Sequence, residues 1–281
     1  MTPLVVAAVL TAALAHASWS ALAHAIKDQL VAFTLVGAGG AVCGAVLVAV
    51  APVPAAGAWP PLLASAVLHV LYQALLMRSF GLGDFGQVYP VARGTAPLVV
   101  TVLAAVFVHE LPDAWQLAGV LLATASLLAL ALWGIRNARP DWPALTAAVG
   151  TGLAIASYTV VDGVGVRASG SALGYIGWLM LLEGLAIPAY ALAVRRGRLW
   201  GQLRPVAARG LLGGGLSVVA YGLVLWAQTR APLAPVAALR ESSIIAGAAM
   251  GAIFFKERFG ASRIAASAAM VGGIALMLHG S

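Results

Sequence analysis

The chain has 281 residues, 62% of them hydrophobic and only 9% charged, with 16 Lys and Arg against 9 Asp and Glu for a formal net charge of +7. A soluble domain carries about a quarter charged residues, so this composition, with a mean hydropathy of +0.98, excludes a soluble enzyme and a disordered chain. Basic residues punctuate apolar runs instead of clustering on one wet face, which argues against a nucleic-acid partner.

A membrane-spanning helix needs about 20 apolar residues. Runs of that order recur at 3–24, 30–51, 59–79, 85–108, 112–134, 143–165, 171–194, 209–229, 232–255 and 261–279, separated by charged or Pro/Gly breaks such as Lys27-Asp28-Gln29 and Pro52-Val53-Pro54. No basic residue precedes the first run, so 3–24 is expected to be a retained membrane helix and not a cleaved signal. It carries His16, Ser20, His24 and Lys27 at helical spacing, with Trp19 beside them. Cys43, the only cysteine, lies in the second run and allows neither an internal disulfide nor a cysteine metal site. The third run presents Ser65, His69, Tyr72 and Gln73 on one helical face.

The fourth run contains Tyr89-Pro90-Val91-Ala92-Arg93 and Pro97, and the ninth contains Pro232, Pro235, Arg240 and Glu241. These prolines predict kinked or unwound helices, and discontinuous helices are where transporter sites form. The sixth run carries Thr151, Tyr158, Thr159 and Asp162, the seventh Glu183, and the eighth Tyr221 and Gln228. The polar and aromatic stripes suggest either a shared hydrated cavity or hydrogen bonding between helices. The second, fifth and tenth runs instead space small residues four apart (Gly40 and Gly44; Gly119 and Ala123; Ala265, Ala269 and Gly273), which reads as scaffold packing or a homodimer face.

The order of features repeats. Arg93 to Arg240 and Glu110 to Glu257 are each 147 positions apart, with weaker echoes from Ser18-Trp19 to Ser157-Tyr158 and from Tyr72 to Tyr221. The predicted fold is therefore all-α and polytopic, with ten transmembrane helices as two five-helix repeats over 1–137 and 138–281. Five is odd, so the second copy enters from the opposite side. Such inverted repeats build a midplane site exposed alternately to each side. Lys27, Arg78, Arg136, Arg139, the arginines from 195 to 209, Lys256, Arg258 and Arg263 fall on one side, with only Arg167 and Arg230 on the other. The positive-inside rule then leaves both termini outside.

An ionisable residue in the membrane costs about 3 kcal/mol and usually faces a cavity or a partner. Arg93 and Arg240 lie ~12 Å into their helices, deep enough for both guanidiniums to approach the middle of a ~30 Å core. Either they bind an anionic group, which Arg grips bidentately, or they satisfy freed carbonyls and pair with Glu241 or Glu183. Glu183 is the most central acid and is read as a proton-coupling carboxylate or as half of a static salt bridge. Glu110 and Glu257 sit at helix ends, where a cap or interfacial salt bridge is expected. Substrate-contacting candidates are Arg93, Arg240, Tyr89, His69, Tyr72, Gln73, Trp19, Tyr158, Tyr221 and Glu241. No cofactor or metal is expected, since the five histidines show no ligand spacing.

These features together resemble the drug/metabolite transporter superfamily of EamA type. The likeness rests on the double five-helix repeat, His-Ala-Ser-Trp-Ser at 16–20, Tyr-Pro-Val-Ala-Arg-Gly-Thr-Ala-Pro at 89–97, and Leu-Arg-Glu-Ser-Ser at 239–243 leading to Phe-Lys-Glu-Arg-Phe at 255–259. The resemblance implies a secondary carrier that exports amino acids or related metabolites across a bacterial inner membrane without ATP. It also implies a cavity lined by helices 1, 3, 4, 6, 8 and 9. Small four-helix relatives couple through a glutamate in their first helix, which is absent here, and Glu183 stands as the substitute. The rival readings are an anion-selective channel lined by the two arginines and a membrane-embedded enzyme; for the latter no Gly-x-Ser-x-Gly, His-Glu-x-x-His or paired aspartates occur.

Overall fold

The computed structural model describes residues 1–82, 91–94, 96–137, 141–246 and 261–279. Among them no strand forms, and seven stretches are apolar and long enough to cross a membrane. Helix α1 spans Pro3–His24, α2 Gln29–Val50, α3 Trp59–Leu82, α4 Ala96–Leu103, α5 Ala114–Asn137, α6 Trp142–Ala168, α7 Ala172–Arg195, α8 Ala207–Gln228, α9 Leu233–Arg240 and α10 Ala261–His279. Short helical turns at Arg196–Arg198, Leu199–Leu203 and Arg204–Val206 join α7 to α8.

The helices start where a short polar side chain can take the orphan amides of a first turn. Asp28 Oδ1 accepts from the amides of Leu30 and Val31 at 3.1 and 3.3 Å. Asp141 accepts from Ala144 at 3.0 Å and Ser171 from Gly174 at 3.1 Å. Asp113 and Gln116 cap α5 reciprocally: the Gln116 amide donates to Asp113 Oδ1 at 2.8 Å and the Asp113 amide to Gln116 Oε1 at 3.4 Å. These residues are polar breaks in an otherwise apolar chain, and eight of the spans read from the sequence, all but the fourth and the ninth, agree with the helices to within a few residues.

Two findings depart from the sequence reading. The prolines of the ninth run do not kink it: Pro232 is the N-cap of α9 and Pro235 lies in its first turn, where a missing amide costs nothing. The helix breaks instead after Arg240, at a turn through Glu241 and Ser242, before helical residues resume at Ser243. Second, α4 is prolonged by a π-helical stretch, Ala104–Val108, that ends at His109 with a left-handed φ of 58°. This wide turn delivers Glu110 to its partners. Residues 83–90, which include the predicted start of the fourth span at 85, lie outside the described residues.

Lipid offers no hydrophobic drive for helix pairing, so close backbone contact decides which helices meet. Along α2 and α7 the contact is glycine on glycine: a Cβ on Gly37 would lie 2.8 Å from the carbonyl oxygen of Gly184, and one on Gly44 2.8 Å from that of Gly177. Gly119 of α5 meets Gly273 of α10 in the same way. Further extensive pairings join α3 to α6, α1 to α8 and α2 to α8, with a smaller one between α4 and α9. Glycines offered by the sequence for an oligomer face are thus largely used within the chain. Leu and Val side chains such as Leu4, Val46 and Leu132 cover the outer surface.

Gly44→Ala should lower the thermal stability of the detergent-purified protein by about 1–3 kcal/mol, because the new methyl meets backbone on the facing helix. Gly40→Ala has nothing within 4 Å of its Cβ and should be neutral or slightly stabilising. Equal melting shifts for the two variants would contradict a glycine seam.

Candidate substrate cavity

A cavity in the bundle is lined by residues from both halves of the chain: His16 and Trp19 of α1, Phe33 and Val36 of α2, and His69, Tyr72 and Gln73 of α3 from the first; Tyr158 of α6, Met180 and Glu183 of α7, Ser217, Tyr221 and Val224 of α8, and Arg240 of α9 from the second. It leaves about 70 Å³ to the centres of water-sized spheres. One enclosed water needs about 10–15 Å³ on that measure, so there is room for several waters or one small polar solute.

One wall is aromatic. His69 stacks on Tyr158 with ring centres 3.9 Å apart and meets Tyr221 edge-on at 5.0 Å, while Tyr72 and Tyr158 meet edge-on at 5.5 Å. His69 Nδ1 lies 3.1 Å from the carbonyl oxygen of Ser65 one helical turn back. The Ser65 hydroxyl lies 3.1 Å from the same nitrogen, so His69 is engaged by Ser65 in either tautomer. Behind the wall Asp162, fully buried, accepts the Tyr175 hydroxyl on Oδ1 at 2.8 Å and the Tyr221 hydroxyl on Oδ2. Glu183 is differently placed. Its nearest ionic neighbour is His69 Nδ1 at 3.7 Å from Oε2, and that oxygen finds no hydrogen-bond donor among the described residues.

The opposite pole is cationic. Arg93, buried beside α9, places Nε 2.8 Å from Glu241 Oε2 and donates from Nη2 to Ser243 at 3.0 Å. Arg240 Nε is 3.9 Å from the other oxygen of the same carboxylate, and its Nε and Nη2 find no hydrogen-bond acceptor among the described residues. Trp19 Nε1 donates to His16 Nδ1 at 3.2 Å. The other ring nitrogen of His16, Nε2, lies 3.4 Å from Arg93 Nη1.

A separate ionic node closes one end of the bundle. Glu110 accepts from Arg167 Nη1 at 2.6 Å and from the amide of Leu233, the first residue of α9, at 2.7 Å. Arg167 also donates from Nε to the Gln228 carbonyl at 2.8 Å and from Nη2 to that of Ala231 at 3.0 Å. This is the helix-end cap and salt bridge expected of Glu110; Glu257 lies outside the described residues.

Of the sequence candidates, His69, Tyr72, Gln73, Trp19, Tyr158, Tyr221, Arg240 and Glu183 come together around the cavity. Arg93 and Glu241 stand behind it as an ion pair, which was the alternative reading for Arg93. Tyr89 lies outside the described residues. His24 and Lys27, on the polar stripe of the first run, are exposed, and Thr151 and Thr159 return their hydroxyls to carbonyls of their own helix. Sequence reasoning missed the lining by Phe33, Val36 and Ser217, the Tyr175 and Tyr221 grip on Asp162, and Ser243 as a partner of Arg93. Only the last carried a signal, as the end of the Leu-Arg-Glu-Ser-Ser motif.

Residues 142–279, just under half of the chain, match the model of the EamA-like transporter family, a family of the drug/metabolite transporter superfamily. The chain is an integral, multi-pass membrane protein of a class that transports solutes. One solved crystal structure superposes on it with a TM-score of 0.72 at 16% identity, covering 98% of each chain; at that identity what is shared is the fold. No curated protein matches the sequence.

Glu241→Gln should cost about 3–5 kcal/mol in stability, because it strands Arg93 and Arg240 in the interior without their counter-charge. Glu110→Gln, at a half-exposed node, should cost far less. Thermal unfolding of both variants checks this, and a mild Glu241→Gln would mean that the pair is not what holds α9 against α4.

Proposed function

We propose that the chain is a ten-helix secondary carrier built from two inverted five-helix repeats, 1–137 and 138–281, that exports small organic acids or zwitterions, amino acids or related metabolites, across a bacterial inner membrane by alternating access. The single observation that carries the reading is Arg240: a buried guanidinium at the wall of a cavity shared by both halves, with two donor nitrogens unmet. A carboxylate on a small solute fits that fork. Glu183, on the same cavity, exchanges the coupling proton.

The repeat reading is supported by the helix pairing. Exchanging the halves turns the α3–α6 contact into α1–α8 and the α2–α8 contact into α3–α7, while α2–α7, α4–α9 and α5–α10 map onto themselves. The same symmetry supports alternating access about the central cavity. The basic connections, with the arginine-rich link between α7 and α8, support a cytoplasmic assignment for that end and outward-facing termini.

Arg240→Lys keeps the charge and loses the fork, so kcat/KM for acidic or zwitterionic solutes in proteoliposomes should fall about tenfold or more, about 1.4 kcal/mol, with the protein still folded. Saturation and trans-stimulation of the wild-type flux should accompany it; unsaturable flux would favour the anion channel instead. For topology, alkaline phosphatase fused after Ser281 should be active and green fluorescent protein dark, and the reverse pattern would overturn the orientation.

A further inference from the structure

Two buried carboxylates, Glu183 on the cavity wall and Asp162 behind it, are in very different states. Asp162 is complete, with a tyrosine hydroxyl on each oxygen. Glu183 is more than nine-tenths buried, and its Oε2 has no donor among the described residues. His69 is too far to serve at 3.7 Å, and its Nδ1 is already engaged by Ser65. A bare carboxylate oxygen taken out of water is costly, so the site is complete only when a donor arrives from the cavity.

We propose that Glu183 is the seat of the solute's ammonium group, where a proton and that ammonium compete one for one. The inference rests on the carrier reading above and names the cationic half of the substrate. Tyr72, Tyr158 and Tyr221 share the cavity with Glu183 and offer faces that attract an alkylammonium. At the other pole Arg240 holds two donors that only an acceptor completes. A zwitterion satisfies both poles at once. Binding R–NH₃⁺ to protonated Glu183 releases that proton to solvent and leaves the carboxylate paired with the ammonium; reprotonation of Glu183 expels the ammonium. No electron moves, and one proton is exchanged per solute.

The other titratable and charged groups around Glu183 are accounted for. His69 on α3 is tied to Ser65, Asp162 on α6 is held by its two tyrosines, and Arg240 on α9 and His16 on α1 sit at the cationic pole. Tyr158 and Tyr221 are phenols. Helix α2, packed along α7, meets Gly184 with Gly37 and Ala41 and carries no charge there.

The test uses the full chain in lipid nanodiscs and three probes on one carbon frame: alanine, ethylamine with the ammonium alone, and propionate with the carboxylate alone. Titration calorimetry in buffers of different ionisation heat, from about pH 5.5 to about pH 8, counts protons. Alanine and ethylamine should each release about one proton, with affinity falling about tenfold per pH unit on the acid side. Propionate should release none. Glu183→Gln should abolish ethylamine binding and leave propionate binding intact, which also shows the variant folded; if it does not fold, the wild-type proton count decides alone. Alanine and propionate binding without proton release would overturn the ammonium site and leave the Arg240 reading standing. Proton-releasing ethylamine binding without propionate binding would do the opposite. No binding of any probe to folded wild type would overturn both.

Discussion

A guanidinium cannot be left alone in the apolar interior of a helix bundle, and buried Arg93 is met there by a carboxylate from the other half of the chain. The contact with Glu241 is a charged link between the two halves beside the cavity. It requires α4 and α9 to lie side by side, and it uses one oxygen of a carboxylate whose other oxygen is nearest to Arg240. Two cations therefore share one anion. Arg240, the arginine that reaches the cavity wall, is left with two donors unmet among the described residues. Had the α9 helix run on without interruption, Glu241 and Ser243 would sit on different faces. The turn through Glu241 and Ser242 lets both address Arg93.

Around this pair the bundle is assembled by a different force. Small residues allow α2 against α7 and α5 against α10 to approach until backbones touch, so dispersion and weak polar contacts between main chains replace the hydrophobic effect that lipid removes. Larger side chains are displaced to the lipid surface or to the aromatic wall. Helix α7 does both, with Gly177 and Gly184 on the seam against α2 and Met180 and Glu183 on the cavity.

Much of this organisation can be read from the residues. Span positions follow from run length and polar breaks, and the stripe on α3 predicts the side of that helix that faces the cavity, since a 3.6-residue period allows only one face for His69, Tyr72 and Gln73. Partners are another matter. Periodicity shows where a side chain points along its own helix and nothing about which helix stands opposite. Asp162 could be placed on a face, but not matched to Tyr175 and Tyr221, which come from two other helices. The prolines of the ninth run invited a kink because proline breaks helix interiors; at a helix start the same residue is harmless, and the interruption fell where no proline stands. Glu183 was singled out for depth alone, whereas its unpaired oxygen, which distinguishes it from Asp162, is a property of the assembled bundle.

The node at Glu110 and Arg167 has a consequence for how the end of the bundle can come apart. One carboxylate holds both a guanidinium and the first amide of α9, and that guanidinium also holds the carbonyls of Gln228 and Ala231. The tail of α4, the tail of α6 and the α8–α9 turn are thus tied in a single knot. A shift of any one of them removes a partner from a side chain that the others depend on, so the three segments are held in common and not one by one.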